Sequence, residues 1–171
     1  MELFDLYDNL GNKLHRTMER GTPNNEGEYH LVAHIWIRNS EGKYLIQQRN
    51  KLSDRIPHQW ACTGGAVTSG EHSMQGAIRE TYEEIGVLFQ PEQLKLVKRF
   101  FVDDDFTNYI TDLYLIEADV LIKDLKLDTV EVKQCAYYTL DEIQQLIKDK
   151  KHWNYERFAT RQGYFKALED N

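Results

Sequence analysis

The sequence predicts an α/β fold, a mixed sheet flanked by helices. Three observations carry this. Strand-like stretches lie on both sides of a strongly amphipathic acidic helix that ends near Gly86. Hairpin turn signals join some of those strands. A second amphipathic stretch, 139–149, follows the last of them.

The elements follow in order. Residues 3–7 (LFDLY) and 13–18 read as the two arms of a hairpin, because Asp8-Asn9-Leu10-Gly11-Asn12 is turn material. Gly21 to Gly27, with Pro23 and two asparagines, reads as a loop. Residues 29–38 (YHLVAHIWIR) read as a strand with Leu31, Ala33, Ile35 and Ile37 on one face. Asn39-Ser40-Glu41-Gly42 is a hairpin turn, and 43–49 (KYLIQQR) is the returning strand. Residues 50–58 form a polar loop, and 60–67 a strand and glycine turn leading into the acidic helix. Further strands are expected at 94–103, at 108–122 and at 130–138, with Asp103-Asp104-Asp105 breaking the first and a charged loop at 123–129. Thr139 is placed to cap the helix over 139–149. The aromatic tail, 152–169, reads as a last helix.

The acidic helix carries most of the chemistry. Its centre is Arg79-Glu80-Thr81-Tyr82-Glu83-Glu84. With Glu80 as zero, Glu84 lies about 40° to one side and Glu83 about 60° to the other. Three carboxylates thus share one arc, where like charges cost helix stability. A divalent cation would offset that repulsion, and oxygen-only ligands suit Mg²⁺ or Mn²⁺ rather than zinc. Met74, Ala77, Ile78, Thr81 and Ile85 form the opposite, core-facing side. Thr68 and Glu71 have capping-box spacing for the helix start, and Gly86 stands where a left-handed terminating glycine belongs. Gly64-Gly65 lets backbone approach an ion or ligand closely. The plain alternative for Glu-x-x-Glu-Glu alone is a solvated charged face.

Composition narrows the function. A chain of 171 residues with net charge −7 is sized for one domain and lacks the basic surplus that binding a nucleic-acid polymer needs. A nucleotide remains open, since a metal can reach its phosphates. Two cysteines, Cys62 and Cys135, make no disulfide framework and point to a reducing cytoplasm. The acidic N-terminus does not read as a signal peptide, and no apolar run reaches membrane-spanning length.

Gly65, Glu71, Arg79, Glu80, Glu83, Glu84 and Gly86 resemble the Nudix box at every fixed position. Seven such identities arise by chance in a chain this short about once in a million. One variable position departs, with Thr81 where the pattern prefers an aliphatic residue. The resemblance extends through Gly27–Leu31, His34–Ile37, Gly42, Leu45–Arg49, Pro57, Trp60, Glu131-Val132 and Thr139–Ile143 to the Nudix group similar in sequence to isopentenyl-diphosphate isomerases. It implies an α/β/α sandwich over 1–171, with an N-terminal β-hairpin extension at 1–28, the box at 65–87 and a C-terminal helix at 152–171.

The resemblance also implies an activity, the metal-dependent hydrolysis of a nucleoside diphosphate or of a compound linked to one. Glu80, Glu83 and Glu84 would be metal ligands with the Gly64 carbonyl, and Glu131 is the choice for a ligand from outside the box. Arg79 would orient Glu83, and Glu71 would support the loop. Glu80 or Glu84 is the first choice of general base, ahead of Glu131 or an acid of the 103–105 run. Arg49, Arg55 and Trp60 are the candidates to contact phosphate or base. Trp60 reads equally as core, Arg55 as surface, His30 and His34 as structural histidines, 103–105 as a solvated loop, and the aromatic tail as packing or a homodimer contact. Two alternatives stand beside hydrolysis. An isopentenyl-diphosphate isomerase would carry cysteine and histidine where this chain has Gly65 and Val67, although His30 matches one of its metal ligands. A non-catalytic nucleotide-binding module would not require the intact glutamates.

Overall fold

The computed structural model describes residues 2–50, 57–153 and 163–171. An N-terminal hairpin pairs β1 (Leu3–Tyr7) with β2 (Lys13–Glu19). Its turn is held by Asp8 Oδ1, which accepts the backbone N–H groups of Leu10 and Asn12. The main sheet holds β3 (His30–Arg38), β4 (Tyr44–Arg49), β5 (Trp60–Ala61), β6 (Thr63–Ala66), β7 (Lys95–Val102), β8 (Tyr109–Glu117) and β9 (Val132–Tyr138). Three helices accompany it among the described residues: α1 (Ser73–Ile85), α2 (Leu140–Lys148) and α3 (Tyr164–Glu169).

Strand β3 organises the sheet. One edge runs parallel to β8 over its whole length. The other edge divides: the end at Ile37 and Arg38 pairs with β4, while Val32–Ile35 pairs with β6. The sheet therefore forks, and the glycines at 64 and 65 lie opposite His34 and Ala33 at the fork. The alternation along β3 sets the layers. Leu31, Ala33, Ile35 and Ile37 pack with Ala77 and Ile85 of α1, as their spacing predicts. Trp36, on the other face, packs with Ile143 and Ile147 of α2 and with Tyr164, Phe165 and Leu168 of α3. The result is an α/β/α sandwich.

Three expectations shift. The strand expected over 108–122 ends at Glu117. Its partner β3 ends at Arg38, so no ladder remains beyond that point, and the Asp119 carboxylate leaves the edge to bind Ser40 N–H and Oγ. Ile122–Asp124, partly inside the expected charged loop, forms a turn of 3₁₀ helix. The tail helix is confined among the described residues to Tyr164–Glu169, and His152 instead makes a parallel bridge to Trp60. Residues 154–162 of that expected helix lie outside the described residues, as does Arg55. The cap of α2 matches expectation: Thr139 Oγ1 accepts the Glu142 N–H at 3.2 Å and the Glu142 carboxylate accepts the Thr139 N–H at 2.7 Å. No helix among the described residues is long and apolar enough to cross a membrane.

Candidate active site

Helix α1 lays its apolar side on the sheet and turns its carboxylates to the fork of β3 and β6. Ala77, Thr81 and Ile85 are fully buried. Thr81 fits the core because its hydroxyl donates to the Ile78 carbonyl at 2.8 Å. The helix ends as the glycine predicts, with Gly86 at φ 73° and its N–H bonded to the Tyr82 carbonyl at 3.0 Å. Its start differs from expectation. His72, not Thr68, is the N-cap, and the Gln75 side chain accepts the His72 N–H. Thr68 and Glu71 instead close a turn before the helix, in which the Glu71 carboxylate accepts the Thr68 N–H at 3.0 Å. The Thr68–Glu71 pair thus closes its turn about four residues before the observed cap, and Arg79 also bonds the Glu71 carboxylate there.

Arg79 is the centre of the acidic face. Its guanidinium donates to Glu71 Oε1 and Oε2, Glu80 Oε1, Glu83 Oε2 and the Ala66 carbonyl, all at 2.8–3.1 Å. One cation thus orders three glutamates and the end of β6. Burial works against the Arg79 charge, but the glutamates outweigh it and hold its pKa above the ordinary value. Burial pulls Glu71 up, yet the bonds from Arg79 and Thr68 prevail and leave it below the usual carboxylate value.

Glu84 is the most enclosed carboxylate of the site, 5% exposed. Its Oε2 accepts the Gln47 side-chain N–H at 2.8 Å and the Gly64 backbone N–H at 3.1 Å. Burial pushes its pKa up to about 8, with the charge of Glu80 adding to the effect. Glu80 is also raised by burial, against the attraction of Arg79, and Glu83 and Glu131 push it further up. Glu131 enters because the loop before β9 is laced to the end of α1: Lys126 N–H bonds the Ile85 carbonyl and Asp128 N–H the Glu84 carbonyl.

The glycines are needed for contact. A Cβ on Gly65 would lie 2.5 Å from the Glu80 carboxylate, and one on Gly64 would collide with the Ala33 carbonyl. Glu80 therefore rests directly on bare backbone. Gly65→Ala is expected to displace Glu80 and lower kcat/KM by about 10²-fold with little change in fold. Steady-state kinetics beside a circular dichroism spectrum checks this, and near-normal kcat/KM in the variant would show that the close approach is unimportant.

A cavity of about 560 Å³ opens over this face. Gly64, Gly65, Arg79, Glu80, Glu83, Glu84, Glu131 and Arg49 all line it, so the structure brings most of the sequence-predicted residues together. Trp60 is not among its lining residues; it packs edge-on to Tyr138, with ring centroids 5.4 Å apart. Trp153, assigned from sequence to the packing tail, lines the cavity in its place. His30 and His34 are both hydrogen-bonded, to the Asn108 carbonyl and the Tyr164 hydroxyl, and both also line the cavity. Burial lowers each to about 4, so both are neutral at pH 7. Of the 103–105 run, Asp103 accepts the Tyr29 hydroxyl at 2.7 Å, and Asp104 reaches the cavity wall. Glu2 and Arg20 of the hairpin also line it. Nothing in their local sequence signals this, because only the docking of the hairpin brings them there.

Glu80, Glu83, Glu84 and Glu131 give the acidic side of the cavity four carboxylates, oxygen donors of the kind that suit a hard ion. Among the described residues, no three acidic, histidine or cysteine side chains are already gathered around one point. The bonds of Arg79 to Glu80 Oε1 and Glu83 Oε2, and of Gln47 to Glu84 Oε2, each engage one oxygen of the carboxylate. A carboxylate as buried as Glu84 nonetheless favours a nearby cation when ionised. The chemistry of these residues fits a hard divalent ion.

The NUDIX domain family model matches residues 28–160. An uncharacterised Nudix hydrolase of Listeria monocytogenes is 32% identical over 147 residues, covering 85% of this chain and 85% of that protein. Among solved structures, a Deinococcus radiodurans protein has a TM-score of 0.69 at 19% identity, over 88% of this chain and 91% of that one. The Nudix domain of NrtR from Shewanella oneidensis, solved in complex with ADP-ribose, has a TM-score of 0.56 at 16% identity, over 67% and 75%. The chain belongs to the Nudix family and is a hydrolase acting on pyrophosphate bonds. Nudix hydrolases generally need a divalent metal.

Proposed function

We propose that this chain hydrolyses the diphosphate linkage of a nucleoside diphosphate or a nucleoside diphosphate-linked compound, using Mg²⁺ or Mn²⁺. The observation that carries this is the pair Glu80 and Glu84, desolvated at the fork of the sheet and facing one cavity. Glu80, Glu83, Glu84, Glu131 and the Gly64 carbonyl would hold the ion. When bound, it supplies neutralisation of the diphosphate charge and a lowered pKa for water held there.

The chain's own groups supply the rest. Arg79 fixes the directions of Glu71, Glu80 and Glu83. Glu84, raised by burial to about 8, and Glu80, also raised by burial, are the carboxylates we assign to take a proton from the attacking water. Arg49 faces the cavity to meet phosphate. Trp153 and Tyr109 offer ring surface in the wall for a base, in keeping with the ADP-ribose bound by the NrtR domain. The buried thiols of Cys62 and Cys135 are in keeping with a reducing cytoplasm.

The isomerase reading loses ground at position 65, where a cysteine side chain would strike the Glu80 carboxylate. The non-catalytic reading gives the enclosed glutamates no task. A panel of nucleoside diphosphates, nucleoside diphosphate sugars and non-nucleoside diphosphates, assayed with Mg²⁺, with Mn²⁺ and with EDTA, tests the proposal. Turnover of nucleoside compounds that stops in EDTA is expected. Turnover of the non-nucleoside compounds alone, or conversion of isopentenyl to dimethylallyl diphosphate, would overturn it.

A further inference from the structure

The N-terminal hairpin precedes the residues matched by the family model, yet it builds part of the cavity wall. It is firmly docked. Tyr7 and Tyr29 exchange backbone bonds of 2.8 and 2.9 Å, and Ser69 N–H donates to the Leu3 carbonyl at 2.7 Å. The buried Asp5 carboxylate accepts Ser69 Oγ and Gly70 N–H from the loop that leads into α1. Phe4 stacks on His30, with centroids 5.4 Å apart. This docking aims the open end of the hairpin, not its turn, at the cavity. Glu2 and Arg20 sit at that end, joined by an Arg20 N–H to Glu2 carbonyl bond of 3.0 Å and a side-chain ion pair of 2.7 Å.

Arg20 lines the same cavity as Glu80, Glu83, Glu84 and Glu131. Its pKa is raised first by the bond to Glu2, and the charges of Glu131 and Glu80 add to this. Among the described lining residues, Arg79 is committed to the glutamates beneath it, whereas the Arg20 side chain is 62% exposed. Its guanidinium offers a fork of donors suited to phosphate. Glu80, Glu83, Glu84 and Glu131 would hold an ion that neutralises the scissile bridge, so a further cation in the cavity wall favours charge elsewhere on the substrate.

Resting on the proposed nucleoside diphosphate reading, we infer that Arg20 is a substrate-contacting residue that selects compounds with a free terminal phosphate over those capped by a neutral sugar. The selection is electrostatic and bidentate, and it is supplied by a hairpin outside the residues that the family model matches.

The test is steady-state kinetics of the full chain with Mg²⁺ on two probes, adenosine diphosphate and adenosine diphosphate glucose. Arg20→Ala is expected to raise KM for the first by about tenfold, while kcat for both and KM for the second stay within about twofold. Arg20→Lys is expected to fall between wild type and Arg20→Gln in KM for adenosine diphosphate, and this pair serves if the alanine variant does not fold. Equal KM changes on the two probes, or no change on either, would overturn the inference. If the wild-type chain turns over neither probe, the substrate reading fails by itself. Calorimetry with the same two compounds as inert ligands then decides on Arg20: selective loss of adenosine diphosphate binding in the alanine variant upholds its role, and unchanged binding sinks it.

Discussion

Glu84→Gln is expected to lower kcat by about 10³-fold while leaving the fold intact. The amide oxygen of glutamine can accept the same two bonds, from Gln47 and from the Gly64 N–H, so the shape of the fork is kept. What is lost is the negative charge, and with it the proposed roles of Glu84 as a ligand for a cation and an acceptor for a proton. The variant also relieves a cost. Without metal, an ionised carboxylate 5% exposed and beside Glu80 is poorly solvated, so the variant should melt no lower than wild type in EDTA at pH 8. Loss of activity with an unchanged or raised melting temperature is the expected pair of results. Wild-type kcat in the variant would remove Glu84 from the chemistry, and a collapsed melting curve would reassign it to the fold.

The second large effect links metal, pH and stability. Glu84 ionises near the ordinary carboxylate value of 4.5 when the chain is unfolded, but burial holds its folded value near 8. Between these values the unfolded chain has released a proton that the folded chain keeps. Stability without metal therefore contains a contribution that is full below about 4.5 and lost as pH rises through about 8. Glu80, also raised, acts in the same direction. A divalent cation binds the ionised form, so it reverses the loss only where the proton is easily displaced. At a hundredfold excess over its Kd, Mg²⁺ should raise the melting temperature by roughly 5–10 °C at about pH 8.5. At about pH 5 the shift should nearly vanish. Thermal scans across this range in EDTA and in Mg²⁺ measure it, and equal shifts at both ends would mean that the ion does not bind these carboxylates. In Glu84→Gln the metal-free slope with pH should flatten.

The Nudix box could be read from sequence because its chemistry is local. Arg79, Glu80, Glu83 and Glu84 occupy adjacent turns of one helix, so spacing alone places them on one side. The terminating Gly86, the buried face at Ala77 and Ile85, and the alternation of Leu31, Ala33, Ile35 and Ile37 are similarly fixed by the periods of helix and strand. Trp60 and Trp153 show where that reasoning stops. Both are aromatic, both sit near turns, and neither has a local pattern to say which faces the cavity. The bond from Trp153 N–H to the Trp60 carbonyl and the packing of Trp60 on Tyr138 decide it.

The sequence by itself determined the acidic helix, the glycines it rests on, the hairpins and the family they imply, since each depends on residues within a few turns of one another. Tertiary structure alone decided that β3 forks to open the cavity, that Gln47 and the Gly64 N–H enclose Glu84, and that Glu131 is brought toward Glu80. It also decided that Arg20, about fifty residues before the helix, lines the same cavity as these carboxylates. Desolvation and long-range charge arise only when segments far apart in the chain exclude water from one another.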